Sequence, residues 1–349
     1  MKLFFCGLEY DRYDQKLGYS FEYINFYKPL TKMPGVESIF CSFQDILTLG
    51  KQRFNDMLLA RVHDEKPDLV FVFMYTDEFS PETLRMLRRM TTTLGWFSDD
   101  HWRFDNYSRH YAPYFSWVAT THSQAPDRYR AIGQKNVIRS QWFCNPDAYT
   151  PLSIKKDIAV SFAGLKNRGR AHVVAALQSA GISMSVFGNG WEGGKLPQEE
   201  LIRLFSRSSI NVNMVSPRSL WEPRSFGRLF ARRSLNTFVS DFRVVDNVRS
   251  WLNARILQIK ARPFEIAACG GFCISGYADD FDSYYKENEE MIFYRATDDL
   301  IEKTRYYLAH DVERERIAQA GYERTLKEHT CEKRFGDIFK AIGIPYGTV

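Results

Sequence analysis

QIKARPFEIAACGGFCIS, residues 258–275, decides how the rest of the chain is read. Two basic residues, Lys260 and Arg262, run into a short helical pattern carrying one acid, Glu265, and the pattern ends at Gly270-Gly271 before an apolar strand. A helix start presents free backbone N–H groups and the positive end of the helix dipole, so it stabilises anions, and Lys and Arg beside it add formal charge. One turn further in, a carboxylate can accept both hydroxyls of a vicinal diol, as the acid of dinucleotide folds does for a ribose. A phosphate grip followed by a sugar grip points to a nucleotide. The alternative is an ordinary Arg262–Glu265 helix pair packed down by Phe264, Ile266 and Ala267.

On either side of this stretch, short apolar runs alternate with longer helical patterns, which marks parallel sheets covered by helices on both faces. The strand candidates are KLFFCGL, VESIFCSF, DLVFVFMY, TTLGWFS, FSWVATTH and NVIRSQW in the first half, then DIAVSFAG, SMSVFGN, INVNMV, GFCIS and EMIFY. FCNPDAYTPLSIKK (143–156) has two prolines and no period, as a linker would. The expected organisation is a Rossmann-like domain over 1–143, a linker over 144–156 and a second Rossmann-like domain over 157–330 with an Arg-rich insertion at 217–257. A final helix over 331–349 is expected to cross back to the first domain. Two doubly wound α/β domains facing a cleft follow, with ligands beyond the carboxyl ends of the strands.

Those loops carry the remaining candidates. GLKNRGR (164–170) follows a strand, with Gly164 allowing close backbone approach and Lys166 and Arg168 supplying charge ahead of a helix. FGNGW (187–191) follows the next strand, and Gly188, Asn189 and Gly190 form a turn able to present backbone groups to a flat base. In the first half, Gly7 opens the loop after the first strand, and SDDHWRF (98–104) places Asp99, Asp100 and His101 at a strand's carboxyl end. An acceptor hydroxyl must lose its proton as it attacks, and Asp100 or His101 could take it. His122, after FSWVATT, is a second imidazole at a strand end. The plainer alternative is an Asp that caps a short helix beside a structural His.

GWFSDDHWRF, GLKNRGR, FGNGW, the Lys260–Glu265 signature and EMIFYRATDDLIEKTRYYLAHDVERERIAQAGYERTLKEHT, which ends in a His-Thr pair, together resemble the CgeB-like glycosyltransferases. That resemblance covers nearly the whole chain. It implies the GT-B fold, a nucleotide-diphosphate sugar donor of UDP or GDP type, and a diphosphate held by basic residues, with Lys260 neutralising the leaving group. It also sets His101 where related enzymes keep a His or acid in the acceptor domain. One departure stands out: the second acid of the Glu-x7-Glu pattern of many retaining relatives falls at Leu257. No Asp-x-Asp follows a strand, so no metal and no further cofactor are expected.

Charge is uneven along the chain. Residues 217–262 hold nine Arg and one Lys against three acids, a local +7 in a chain of net +5, interleaved with Trp221, Phe226, Phe230, Phe238, Phe242 and Trp251. Such a segment suits an anionic acceptor or peripheral membrane contact, or else is a solvated helical insertion packing on its own domain. No helix-turn-helix, RRM or zinc-finger pattern supports a specific nucleic-acid partner. At 349 residues, with 44% apolar and 15% aromatic residues, the chain fills two cores. Six scattered cysteines without a Cys-x2-Cys pair, and an N-terminal run that reads as a buried strand, suggest a cytoplasmic protein. The function expected is transfer of a sugar from a nucleotide-diphosphate donor to a hydroxyl on a glycan, lipid or protein acceptor. The alternatives are a non-catalytic surface or spore-layer assembly protein of the same fold, and a nucleotide-sugar epimerase or hydrolase.

Overall fold

The computed structural model describes residues 1–215, 220 and 223–346, and for Pro223 and Arg224 the backbone alone. The chain folds into two units. The first takes the described residues of 1–141, 220–256 and 331–346, and the second takes the described residues of 142–219 and 257–330.

In the first unit six strands, β1 (Lys2–Gly7), β2 (Glu37–Ser42), β3 (Leu69–Phe73), β4 (Thr92–Phe97), β5 (Trp117–Thr120) and β6 (Val137–Arg139), pair in the order β2-β1-β3-β4-β5-β6. Every pairing is parallel. Continuous apolar runs such as LVFVF in β3, buried at every position, are what a sheet covered on both faces requires. On one face Phe54, Leu58 and Val62 of the helix Lys51–Glu65, and Leu84 and Leu87 of the helix Pro81–Met90, point into the core at helical spacing. Ser80 caps the second of these helices by accepting from the N–H of Thr83. The other face is aromatic: Phe5, Phe26, Phe71, Phe73 and Trp96 meet edge to face or stacked, and Phe335 of the helix Cys331–Ile342 joins them.

In the second unit β7 (Ile158–Ala163), β8 (Met184–Phe187), β9 (Ser208–Asn213), β12 (Cys273–Gly276) and β13 (Ile292–Tyr294) form a parallel sheet of order β13-β12-β9-β7-β8. Its core runs from Val160, Ile210 and Ile274 out to Leu300 and Ile317. Between residues 143 and 157 there is no helix or strand, and the segment is fastened within this unit by a bridge from Cys144 to Thr330. All six cysteines are buried and unbridged.

The Arg-rich insertion corrects the expectation twice. Residues 217–219, 221 and 222 lie outside the described residues, but the rest forms a two-stranded antiparallel hairpin, β10 (Ala231–Ser234) with β11 (Thr237–Ser240), followed by the helix Val244–Asn253. It belongs to the first unit, not the second. The physical reason lies in upstream partners. Arg232 and Ser234 bond Asp77 at 3.0 Å each, Arg233 donates to the Tyr75 hydroxyl (2.7 Å), and the Leu235 N–H donates to Thr76 Oγ1 (3.1 Å). Asn247 accepts from Asn106, and Asn253 donates to Asp105.

Candidate functional site

Both sheets share the strand order 2-1-3-4-5 over their first five strands, with one further strand at the edge of the first. Such a sheet has a switch point beyond the carboxyl ends of its first and third strands, and ligands bind there. In the second unit these are β7 and β9. The loop Gly164–Asn167 leaves β7, and Gly188–Gly194 leaves the neighbouring β8. The two loops interlock: the Gly164 N–H donates to the Phe187 carbonyl, the Lys166 N–H to the Asn189 carbonyl and the Trp191 indole N–H to the Gly164 carbonyl, each at 2.9 Å. Gly188 lies at φ +128°, and a Cβ there would stand 2.1 Å from the Gly164 carbonyl oxygen, so only glycine permits this approach. The exposed Lys166 carries its ammonium 4.9 Å from the Trp191 ring centre. Gly164, Lys166, Gly188, Asn189 and Gly190 therefore come together as one platform.

Asn167 caps the helix Arg168–Ser179 by accepting from the Arg170 N–H, and the exposed Arg168 stands in its first turn. Arg170 bonds the carbonyls of Leu165 and Met214, tying the β7 loop to the end of β9.

The helix Arg262–Ala268 leads into β12 and so runs antiparallel to it, which puts its N-terminus at the same carboxyl edge of the sheet. Glu265 is buried. Its Oε1 accepts from the Tyr149 hydroxyl (3.0 Å) and its Oε2 from the Arg262 guanidinium (2.6 Å). Burial first, and then the Glu265 carboxylate, hold the Tyr149 phenol well above its ordinary pKa, so Tyr149 stays a donor. Arg262, expected on the diphosphate, places its guanidinium on Glu265 and over the Phe205 ring. A carboxylate has about four acceptor sites, so Glu265 retains capacity for a diol. The half-buried Lys260 lies 5.9 Å from the centre of the Trp142 ring. Phe264 packs edge-on against His329, so the signature phenylalanine and the terminal His-Thr pair meet in space.

In the first unit the sequence candidates lie at the ends of β4 and β5. Asp99 starts the short helix Asp100–Arg103, its carbonyl accepting from Trp102 and Arg103. Asp100 is fully buried, and its Oδ2 accepts from Thr120 Oγ1 (2.6 Å) and the Tyr129 hydroxyl (2.8 Å). Burial raises its pKa to about 6 against the pull of those donors. Its carboxylate ties β5 and the helix Ala125–Ala131 to the end of β4. His101 and His122, both buried, lie with ring centres 4.2 Å apart and planes tilted by 34°.

The sequence reading missed two carboxyls at this sheet's own switch point, beyond β1 and β3. Glu78 is buried and accepts from the Thr76 N–H and the Tyr13 hydroxyl (2.8 Å). Glu22 lies beside Gly7, where an added Cβ would stand 3.6 Å from that of Glu22. Burial lifts the Glu22 carboxyl to about 7, partly offset by hydrogen bonding and raised further by Asp11 and Glu78. The available signal is position: Gly7 marks the loop after the first strand, and Glu78 lies in the loop after the third.

Residues 221–340 match the family described as glycosyl transferase-like. Sequence comparison with curated proteins gives no match. Among solved structures the chain is similar to sucrose-phosphate synthase from Thermosynechococcus elongatus, with a TM-score of 0.63 at 10% identity over 98% of this chain and 99% of that one. It is also similar to Anabaena HepE in complex with UDP, with a TM-score of 0.58 at 10% identity over 98% and 100% of the two chains. A third is the lipopolysaccharide outer core galactosyltransferase WaaB in its apo form, with a TM-score of 0.58 at 12% identity over 98% and 99%. The chain has the GT-B fold, and within it residues 221–340 match the glycosyl transferase-like family.

Proposed function

We propose that the protein is a nucleotide-sugar-dependent glycosyltransferase of the CgeB-like group, with a UDP-type donor held in the second unit. The observation that carries this reading is the interlocked Gly164 and Gly188 loops at the second sheet's switch point, with Lys260 and Glu265 at the same edge. The backbone turn takes the base, Glu265 takes the ribose diol, and Lys166, Arg168 and Lys260 face the diphosphate. The UDP-bound state of HepE, a protein of the same fold, favours uridine.

Chemically, the acceptor oxygen forms a bond to the anomeric carbon, the bond from that carbon to the diphosphate oxygen breaks, and the electron pair leaves with the diphosphate. Lys260 and Lys166 stabilise the charge that develops there, without a required metal. His101 takes the acceptor proton. Free buried cysteines suit a reducing compartment, in keeping with a cytoplasmic site of action.

The experiment is a thermal-shift and calorimetric screen against UDP, GDP, CDP and ADP, since a ligand that binds only the folded state raises its stability. UDP is expected to bind, and Glu265→Gln to weaken it about tenfold or more through loss of a charge-assisted hydrogen bond. If no nucleoside diphosphate binds the wild-type chain, the reading fails; if UDP binds equally to a folded Glu265→Gln variant, Glu265 leaves the site.

A further inference from the structure

The helix Val244–Asn253 is turned inside out for a surface helix. Its polar residues Asn247 and Ser250 are buried, Asn247 donating to the Leu229 carbonyl and Ser250 to the Trp102 carbonyl. Its apolar residues face outward: Val245 is 64% exposed, and Val248 and Leu252 are exposed on the same side. A soluble surface helix carries the opposite pattern. The neighbouring hairpin and the connection after it continue the theme, with Phe238 at 79% and Phe242 at 87% exposure. Half of the chain's exposed large hydrophobic side chains among the described residues, nine of eighteen, fall within residues 226–256. That density exceeds the scattered exposure of an ordinary surface and marks an interaction face.

Charge identifies the occupant. Arg249 and Arg255 are exposed on the outward side of the helix and its extension. The acids of the described segment are occupied, Asp241 by Arg243 and Asp246 by His110. Arg232 and Arg233 point the other way, to Asp77 and Tyr75. The outward face is thus protruding aromatic and aliphatic groups flanked by arginines, the composition of an element that lies in the headgroup region of a bilayer. A second copy of the chain would bring the same arginines to the contact with no unpaired acid of the described segment to meet them, which disfavours self-association through this face.

We propose that the face formed by Phe238, Phe242, Val245, Val248 and Leu252, with Arg249 and Arg255, docks the protein on an anionic lipid bilayer. The aromatic side chains enter the interface and the arginines meet lipid phosphates. No helix among the described residues is long and apolar enough to span a membrane, so the attachment is interfacial.

The test is cosedimentation of the full chain with vesicles of phosphatidylcholine alone and of phosphatidylcholine with roughly one third phosphatidylglycerol, at low and high salt. Binding to the anionic vesicles, weakened by salt, is expected. Phe238→Ser with Phe242→Ser should reduce it at least about tenfold, and Arg249→Ser with Arg255→Ser by roughly fivefold per charge removed while flattening the salt dependence. All four side chains are exposed, so the variants should keep the wild-type melting temperature, and circular dichroism checks this. Absence of binding to anionic vesicles, or binding that both double variants leave unchanged, overturns the proposal. A wild-type dimer by light scattering that Phe238→Ser with Phe242→Ser converts to monomer, without vesicle binding, assigns the face to a second copy and also overturns it.

Discussion

Replacing Gly188 by alanine tests the platform at the second switch point directly. The new Cβ would stand 2.1 Å from the Gly164 carbonyl oxygen, a backbone atom, so the two loops must part by at least about 1.3 Å to reach ordinary contact. Three hydrogen bonds of 2.9 Å join the loops. Losing two costs about 2 kcal/mol, and holding a non-glycine residue at φ +128° adds about 1–3 kcal/mol, for a total of about 3–5 kcal/mol. For a unit of this size that corresponds to a melting temperature lower by roughly 10 °C. A displacement of about 1 Å in a group that positions the donor is expected to lower kcat/KM for the nucleotide sugar about a hundredfold. The control is Gly194→Ala, where φ is also positive (+63°) but no atom lies within 4 Å of the added Cβ. It should show backbone strain alone, about 1 kcal/mol, with donor affinity nearly unchanged. The assays are differential scanning calorimetry and calorimetric titration with UDP. If Gly188→Ala keeps wild-type UDP affinity while its melting temperature falls as expected, the platform is structural and the base binds elsewhere. If neither quantity moves, the reasoning about the loop contact is wrong.

Two further predictions concern the first unit. His101→Ala should lower transfer by about 10²–10⁴-fold while UDP affinity, set in the other unit, stays put; near-normal transfer passes the base role to His122 or Glu22. Glu22, raised to about 7, makes folding stability fall as pH climbs from about 4.5 to 7, because the folded state holds its proton longer than the unfolded chain. The proton-linked loss is about 3 kcal/mol across that window, and Glu22→Gln should flatten this part of the stability curve in urea titrations at several pH values. A variant with the same pH slope as wild type would show that Glu22 is not the group concerned.

The central strands are legible in the sequence because a strand buried on both faces reads as an apolar run, as LVFVF in β3 does. The hairpin β10–β11 was not legible. ARRS and TFVS have no apolar alternation, and the pull on Arg232 and Arg233 comes from Asp77 and Tyr75, more than 150 residues upstream. Asp100 illustrates the same limit at the site. Its place after a strand is visible locally, but the Thr120 and Tyr129 donors that turn it into a buried tether are 20 and 29 residues away. Glu22 sits in SFEYINFY, where one acid among aromatics reads as an exposed helix residue, and only the approach to Gly7 reveals otherwise. Gly188 reads as a turn residue, but its need to be glycine rests on a carbonyl 24 positions earlier.

The division of the chain has a consequence for biosynthesis. The first unit is assembled from three separate pieces of sequence, the last beginning at Cys331. Until that piece leaves the ribosome, Phe26, Phe71 and their aromatic neighbours lack the helix that carries Phe335. The nascent first unit therefore waits with one sticky face through the synthesis of almost two hundred further residues, a window in which chaperones have a physical reason to hold it. The second unit is complete at Thr330 and can close first, so folding order is set against chain order.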